Sequence, residues 1–584
     1  MRSHPAPEPS RLLPSANAGV LLLALSLPWL LTYSLPPTST FVNQIAAWAA
    51  WALLVVMLSQ RAAVTLPPLR RVIAAVAPML LILLCLIAAA AASVAVHGLP
   101  ASLAWSAVAC LAGAVLLLLA GATFGAGPFA ADALRLLFFP LVAAGLLSAL
   151  FAAVQIFQPE WTGNALISGS SYVGRASANL RQPNHLSSLA LWAIVGVIWL
   201  RETSALPRLA LWLSALLLVA AVVLTGSRTG ALGIVLLAGW GVVDRSLSSS
   251  SRRLLWLLPV AYAVGWWLFK WWAAASLGSA DAVDRIASGG DVSSARFAIW
   301  SNTVELIRSH PLFGVGFGEF NLVWTLTPFP GRPTQFYDHS HNLVLQWLVE
   351  LGIPLGMLLL AAAALSIWRC WRADSARPAA RAPLLLILLI LLHSLLEYPL
   401  WYLHFLLPTM FAIGICLAPS SAAAPPEAER AGHGNQTLRL AAVVMLAGTA
   451  FAVHDYRKIV VIFSPPADAA PLGQRIADGK RSVFFAHHAH YAQATTAERP
   501  SQELPAFEHA SHFLLDTRLM MAWAKAFDEL GDQRRARHLA DRLREFGNPG
   551  SQAFLAVCDG AQPAEQLPFQ CRPASAPLDA AAFR

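Results

Sequence analysis

The chain has 584 residues, 57% of them hydrophobic and only 12% charged, with a formal net charge of +9 and a mean hydropathy of +0.59. Soluble domains carry about 25% charged residues, so roughly half the charge that a water-facing surface needs is missing. A cytosolic enzyme, a secreted disulfide scaffold and a disordered regulator are excluded, and lipid becomes the solvent for most of the chain.

Apolar stretches long enough to cross about 30 Å of hydrocarbon fall near 17–33, 41–59, 72–96, 102–121, 134–157, 185–200, 208–225, 229–243, 253–273, 341–367, 382–396, 401–418 and 436–454. The expected fold is therefore all-α and polytopic, with about thirteen transmembrane helices. The first stretch lacks an A-x-A cleavage site and a second follows at once, so it is expected to stay as a helix.

Charge is unevenly spread. Residues 456–584 hold 29 of the 71 charged side chains, and the first 455 hold the other 42. This divides the chain into a polytopic membrane domain, 1–455, and a soluble C-terminal domain, 456–584. The net positive charge comes almost wholly from the membrane part, which points to topology signals and anionic ligands. No basic helix or stacking platform suggests nucleic acid.

Arginines orient the spans. With Arg2 and Arg11 in the cytoplasm, the alternate loops on that side hold Arg61, Arg70, Arg71, Arg135, Arg201, Arg208, Arg245, Arg252, Arg253, Arg369, Arg372, Arg377, Arg381, Arg430 and Arg439. The opposite short loops hold only Arg175, Arg181 and Arg228. By the positive-inside rule the N-terminus is inside and the C-terminus outside. The long loop at 274–340 and the tail then face outward, into the periplasm of a Gram-negative cell.

The tail carries a helical pattern at 505–546, a pair joined at Gly531-Asp532 that resembles one tetratricopeptide-like unit without a second repeat. Its His487, His488 and His490 read as a solvated run rather than a metal tract. Of the six cysteines only Cys558 and Cys571 lie in the outward tail, where a disulfide is possible, and no spacing suggests zinc.

Unusual polar residues gather on the outward face in five clusters. GRASANLRQPNH holds Arg175, Asn179, Arg181, Gln182, Asn184 and His185, and LTGSRTG sets Arg228 in a tight turn between helices. ARFAIW brings Arg296, followed by a Gly-x-Gly-x-Gly at 314–318 that reads as a turn. YDHSHNLVLQWLVELG holds Asp338, His339, His341, Asn342 and Glu350, and HSLLEYPLWYLH holds His393, Glu397, Tyr398 and His404 about Pro399. Each arginine taken alone could serve a lipid headgroup or a structural ion pair. Arg228 is harder to dismiss, because it breaks the positive-inside bias where there is little room.

Guanidiniums stay charged at any working pH and offer planar forks that suit diphosphate oxygens. Asp338 or Ser340 is expected to cap a helix starting at about 340, with His341 in its first turn, an arrangement that suits an imidazole acting as general base. No Asp-x-Asp pair occurs, so no metal clamp on the diphosphate is signalled. Arginines would replace it, and neither metal nor cofactor is expected.

At HSHNLVLQWLVELGIPLG the sequence resembles the bacterial O-antigen ligase and polymerase family, of WaaL and Wzy type. ANLRQPNHLSSLALW, LTGSRTGALG, ARFAIWSNTVELIRSHPLFGVGFGEF, HSLLEYPLWYLHFLLP and the tail's DTRLMMAWAKAFDELG are similar to its protein O-oligosaccharyltransferase branch, of PglL type. The resemblance implies a multi-pass inner-membrane glycosyltransferase. It would move a whole oligosaccharide from an undecaprenyl-diphosphate carrier to Ser or Thr of a periplasmic, pilin-like acceptor protein. It implies that the essential histidine falls on His341, with His339 in reserve. The diphosphate-binding arginines would fall on Arg181, Arg228 and Arg296. Arg175, Gln182, Asn184, Asn342 and Glu397 complete the expected donor-binding set. The rival readings are an O-antigen ligase acting on lipid A-core, a Wzy-type polymerase, and a transporter of the lipid-linked glycan. The last is disfavoured because the spans are nearly free of charge and show no repeated half.

Overall fold

The computed structural model describes residues 15–60, 66–126, 129–203, 206–277, 292–372, 381–419, 428–559 and 567–584. Arg2, Arg11, Arg61 and Arg377 lie outside these, as do residues 278–291 of the long loop and 420–427 of a polar loop. Among the described residues every named element is helical, and the only extended pairing is an isolated bridge between Leu35 and Thr38. Nine helices there are long and apolar enough to cross a membrane. Four shorter apolar helices, Gly19–Leu30, Arg228–Val243, Ala382–Ser394 and Leu403–Cys416, stand at other expected stretches. The chain is a multi-pass membrane protein.

Helix is what these sequences must form, because in hydrocarbon each backbone N–H and C=O needs a partner within its own segment. The helix Pro183–Thr203 is the axis of the bundle: from Pro183 to Leu200 every residue is buried. Around it pack Ala130–Phe157, Arg208–Thr225, Arg228–Val243 and Ala382–Ser394. Its N-terminal end, with Asn184 and His185, therefore lies at the centre of one membrane face.

Beside this group, Ala101–Phe124 lies close against Leu403–Cys416, and glycine permits the approach. A Cβ on Gly414 would sit 2.3 Å from the Leu118 carbonyl oxygen, and one on Gly121 would sit 2.2 Å from that of Phe411. Small residues at a crossing let two backbones meet, which is how apolar helices associate without a hydrophobic drive from lipid.

The long loop after residue 277 and the tail form a second hydrophobic core in common. Ile299, Phe320, Trp324 and Leu326 from the loop are buried with Phe507, Trp523, Phe527, Phe546 and Phe583 from the tail. Arg332 is buried in the seam, 3.1 Å from Glu545 and lying over the rings of Trp324, Phe329 and Phe546. In the tail, Thr517–Glu529 and Gln533–Phe546 form the expected helix pair, with Gly531 at φ 77° in the turn. Asp516 and Asp532 cap these helices through the N–H groups of Leu519 and Arg535. Cys558 and Cys571 are joined in a disulfide.

The tail histidines differ from the solvated run expected of them. His487 and His488 are buried, and His487 Nδ1 lies 3.1 Å from Ser102 Oγ, which ties the tail to a membrane helix. His538 is wholly buried: its Nε2–H donates to the Leu326 carbonyl at 2.9 Å and its Nδ1 accepts the Leu578 N–H at 3.1 Å. Both ring nitrogens are satisfied by the neutral tautomer alone. Burial first, and Arg542 next, push its pKa down to about 4. Burial likewise lowers His488 to about 3 and His490 to about 4.

Two measurements follow. Gly414→Val should destabilise the purified protein by about 2–4 kcal/mol through overpacking, read as a lower melting temperature in detergent. Gly239→Ala, where a Cβ meets nothing within 4 Å, should leave it unchanged. The second concerns pH. A histidine whose folded pKa lies below its unfolded value, about 6.5, contributes full stability above that value and loses it as pH falls toward the folded one. The melting temperature of the whole chain should therefore fall between pH 7 and pH 5. In His538→Leu, which has no proton to bind, the fall should be smaller.

Candidate active site

The helix Leu343–Arg372 opens on the same face as the N-terminal end of the axial helix. Asn342 is its cap, not Asp338 or Ser340: Asn342 Oδ1 accepts the N–H groups of Val344 at 3.0 Å and Leu345 at 3.1 Å. The helix thus begins later than the sequence suggests, because the Asn side chain can stand in for a preceding turn. His341 lies just before it, in the left-handed region at φ 55°. Such a backbone is unusual for a residue other than glycine and is held only when its surroundings demand it. Here Ser340 N–H donates to Gln346 Oε1 at 2.7 Å, and Asn342 Nδ2 donates to the Leu395 carbonyl at 3.1 Å.

That second bond joins the histidine segment to the loop between Ala382–Ser394 and Leu403–Cys416, which carries Glu397. The Glu397 side chain is only 12% exposed and gathers residues from across the face. Its Oε2 lies 2.7 Å from His341 Nδ1. Its Oε1 pairs with Arg296 Nη2 and accepts from Asn184 Nδ2 at 3.2 Å. Burial alone would raise this carboxyl, but the His341 hydrogen bond and the Arg296 charge outweigh it and hold the pKa at about 2. A carboxylate on Nδ1 turns Nε2 of the same ring into the proton acceptor. Tyr337 and Tyr398 meet the His341 ring edge-on at 5.1 and 4.9 Å between centroids and fix its plane.

Asn184 acts as a connector. Its Oδ1 accepts from Ser227 Oγ at 2.7 Å, and Ser227 in turn caps the helix Arg228–Val243 through Gly230 N–H. Through Asn184 the Glu397 carboxylate is linked to the turn that presents Arg228, whose side chain is exposed on this face. Arg175 Nε donates to the Thr225 carbonyl of the same turn at 2.8 Å. After burial, which lowers the Arg175 pKa, the charges felt there are those of Tyr172, Arg296, Glu397 and Arg228. Arg175, Arg228 and Arg296 therefore share one electrostatic neighbourhood, and Arg296 Nε is buried without a hydrogen-bond partner.

Arg181 does not share their direction. Its Nη1 donates to the Ser39 carbonyl at 2.8 Å and Asn43 Oδ1 at 3.0 Å, and its Nη2 to the Thr32 carbonyl. It holds the loop between the first two helices. Gln182 caps the axial helix by accepting His185 N–H at 2.7 Å. His339 lies 3.0 Å from Asp338 Oδ1 and stacks on Tyr398 at 4.5 Å, the ring that also meets His341 edge-on. Among the described residues no group of three or more His, Cys, Asp or Glu is placed to hold a metal ion.

Below the dyad lies an apolar cavity of about 940 Å³. Leu343 and Val344 from the start of the His341 helix, and Leu395 and Trp401 from the Glu397 loop, line it together with Met79 and Met410. The Gly-x-Gly-x-Gly segment is a turn packed on a break in the same helix. Gly352 is at φ 77°, and Val315 N–H bonds to the Val349 carbonyl at 2.8 Å.

Sequence reasoning missed three residues of this site. Ser227 was visible as a possible N-cap just before Arg228. Tyr172 and Tyr337 had no signal, since both reach the site from irregular loops.

Three family models and two curated relatives match parts of the chain. Residues 213–361 match the family described as O-Antigen ligase, and residues 176–200 match the one described as Protein glycosylation ligase. Residues 382–554 match the family described as Virulence factor membrane-bound polymerase, C-terminal. Two relatives come from Acinetobacter baylyi. A general O-oligosaccharyltransferase is 28% identical over 291 residues, which are 48% of this chain and 50% of the relative. A ComP-specific O-oligosaccharyltransferase is 25% identical over 288 residues, again 48% of this chain and 50% of the relative. The match thus spans about half the length of each curated relative. Over these residues the chain is similar to the O-antigen ligase family and to protein glycosylation ligases.

Proposed function

We propose that this chain is an O-oligosaccharyltransferase that moves a preassembled glycan from undecaprenyl diphosphate to a Ser or Thr hydroxyl of a periplasmic protein such as a pilin. The observation that carries this reading is the His341–Glu397 pair beside a large apolar cavity. The cavity suits a polyprenyl chain, and the arginines above it suit the diphosphate.

In the proposed reaction the acceptor oxygen attacks the anomeric carbon and the bond from that carbon to the diphosphate oxygen breaks. The hydroxyl proton passes to His341 Nε2, while Glu397 holds Nδ1–H and balances the charge that forms on the ring. The electron pair leaves with the lipid diphosphate, where Arg228, Arg175 and the Nε–H of Arg296 stabilise it. Arg181, Gln182 and Asn342 support the loops and helix ends that carry these groups, and His339 supports the Tyr398 ring. No step needs a metal or cofactor.

The same reading includes about thirteen crossings of the bacterial inner membrane, with the N-terminus cytoplasmic. Residues 1–455 are the catalytic membrane domain and 456–584 a periplasmic helical domain with one tetratricopeptide-like unit. The polymerase and O-antigen ligase matches favour a second reading, in which the acceptor is another glycan or lipid A-core. Purified protein, a defined lipid-linked oligosaccharide and a pilin, followed by mass spectrometry, decide between them. Glycan on the pilin supports the first reading, and glycan only on lipid or glycan acceptors supports the second. Transfer in detergent, where no compartments exist, excludes a pure transporter.

In that assay His341→Ala should lower the rate by about 10²–10⁴-fold. Arg228→Lys keeps the charge but loses the fork, and should lower it by on the order of tenfold or more. Asn184→Ala should lower kcat about tenfold with KM little changed, because it loosens Glu397 and removes no donor contact. A KM rise at constant kcat would instead make Asn184 a donor-binding residue.

A further inference from the structure

At the membrane end opposite His341 the helices form a second recess. It has a volume of about 430 Å³ and is lined by Ala75, Trp368, Arg369, Arg372, Cys416, Leu417 and Ala418. Three segments meet there: the start of Leu69–His97, the last turn of Leu343–Arg372, and the end of Leu403–Cys416. Arg369 and Arg372 are one turn apart on one helix and so project from one side of it. Both are exposed, and neither forms an ion pair among the described residues. The Arg372 guanidinium lies 5.1 Å from the centre of the Trp368 ring. Arg381 over Trp371, at 4.6 Å, repeats the pairing nearby.

We propose that this recess binds the headgroup of an anionic phospholipid. The two guanidiniums supply the fork geometry and charge that a phosphodiester requires. The tryptophan sits where such rings mark the boundary between headgroups and acyl chains. The apolar remainder, Ala75, Leu417 and Ala418, receives the first carbons of the lipid. Exposed Ile73, Leu365 and Trp371 continue that apolar surface into the bilayer for the acyl chains. A soluble anion would use the arginines but gain nothing from this surface, so lipid is the occupant that fits both. The site lies at the end of the long helix whose other end carries His341, and it shares no residue with the apparatus around Glu397.

The test uses the full chain purified in detergent, with native mass spectrometry and thermal melting. Phosphatidylglycerol, phosphatidylcholine and inorganic phosphate are added at matched concentrations. One phosphatidylglycerol should be retained per chain, with a rise in melting temperature that the other two do not produce. Arg369→Gln/Arg372→Gln should melt as wild type in phosphatidylcholine but bind phosphatidylglycerol on the order of thirtyfold more weakly. Arg135→Gln removes an exposed arginine that is already paired with Asp132 at 3.0 Å, and it should bind as wild type. Equal retention of both lipids would overturn the proposal. So would displacement of the lipid by inorganic phosphate, or an equal loss in Arg135→Gln.

Discussion

A single buried carboxylate organises one end of the helix bundle. Glu397 sits in a loop broken by the turn Pro399–Trp401 and meets His341, Arg296 and Asn184, each from a different helix or helix end. A charge taken out of water is tolerable only when its partners are fixed around it. The requirement works in both directions. The partners keep Glu397 ionised, and Glu397 brings together four segments that are distant in the chain. The left-handed backbone at His341 belongs to the same constraint, since only a firmly held segment keeps a non-glycine residue there.

Much of the fold was legible because lipid leaves so few choices. A run of about twenty apolar residues without charge has one stable form, and each expected stretch contains a helix. Charged residues are scarce, so those outside the positive-inside pattern stood out, and the structure does bring His341, Glu397, Arg296, Arg175 and Asn184 together. What stayed hidden depends on pairing across the chain. Arg181 looks like its neighbours in sequence, yet its guanidinium faces Thr32, Ser39 and Asn43, which lie about 140 residues earlier. Glu397 looked like a group for a ligand rather than the carboxylate that meets His341 Nδ1. The start of the His341 helix shifted because Asn342, and not the residues before it, satisfies the first N–H groups.

The tail was legible as a set of amphipathic helices but not as one half of a core. Its apolar faces meet Trp324, Phe320 and Ile299 of the long loop, and Arg332 and His538 fill the seam between them. No local pattern announces such a partnership, because each half alone resembles an ordinary surface helix with one greasy side. The buried histidines have the same origin. A row of histidines reads as solvated until another segment, here Ser102 at the end of a membrane helix, covers it.

This shared core also sets an order of assembly. Arg296 stands in the helix Val292–Ser309, which packs on Phe320–Leu326, and that short helix in turn meets Gln533–Phe546 and Ala580–Phe583 of the tail. A nascent chain can thread its membrane helices while the loop still lacks that packing, and contacts so far apart in sequence form late. The pocket around Glu397 would then close only after the last helices have emerged and docked. A chain cut short in the tail would reach the membrane with its helices in place and the cluster around Glu397 unassembled.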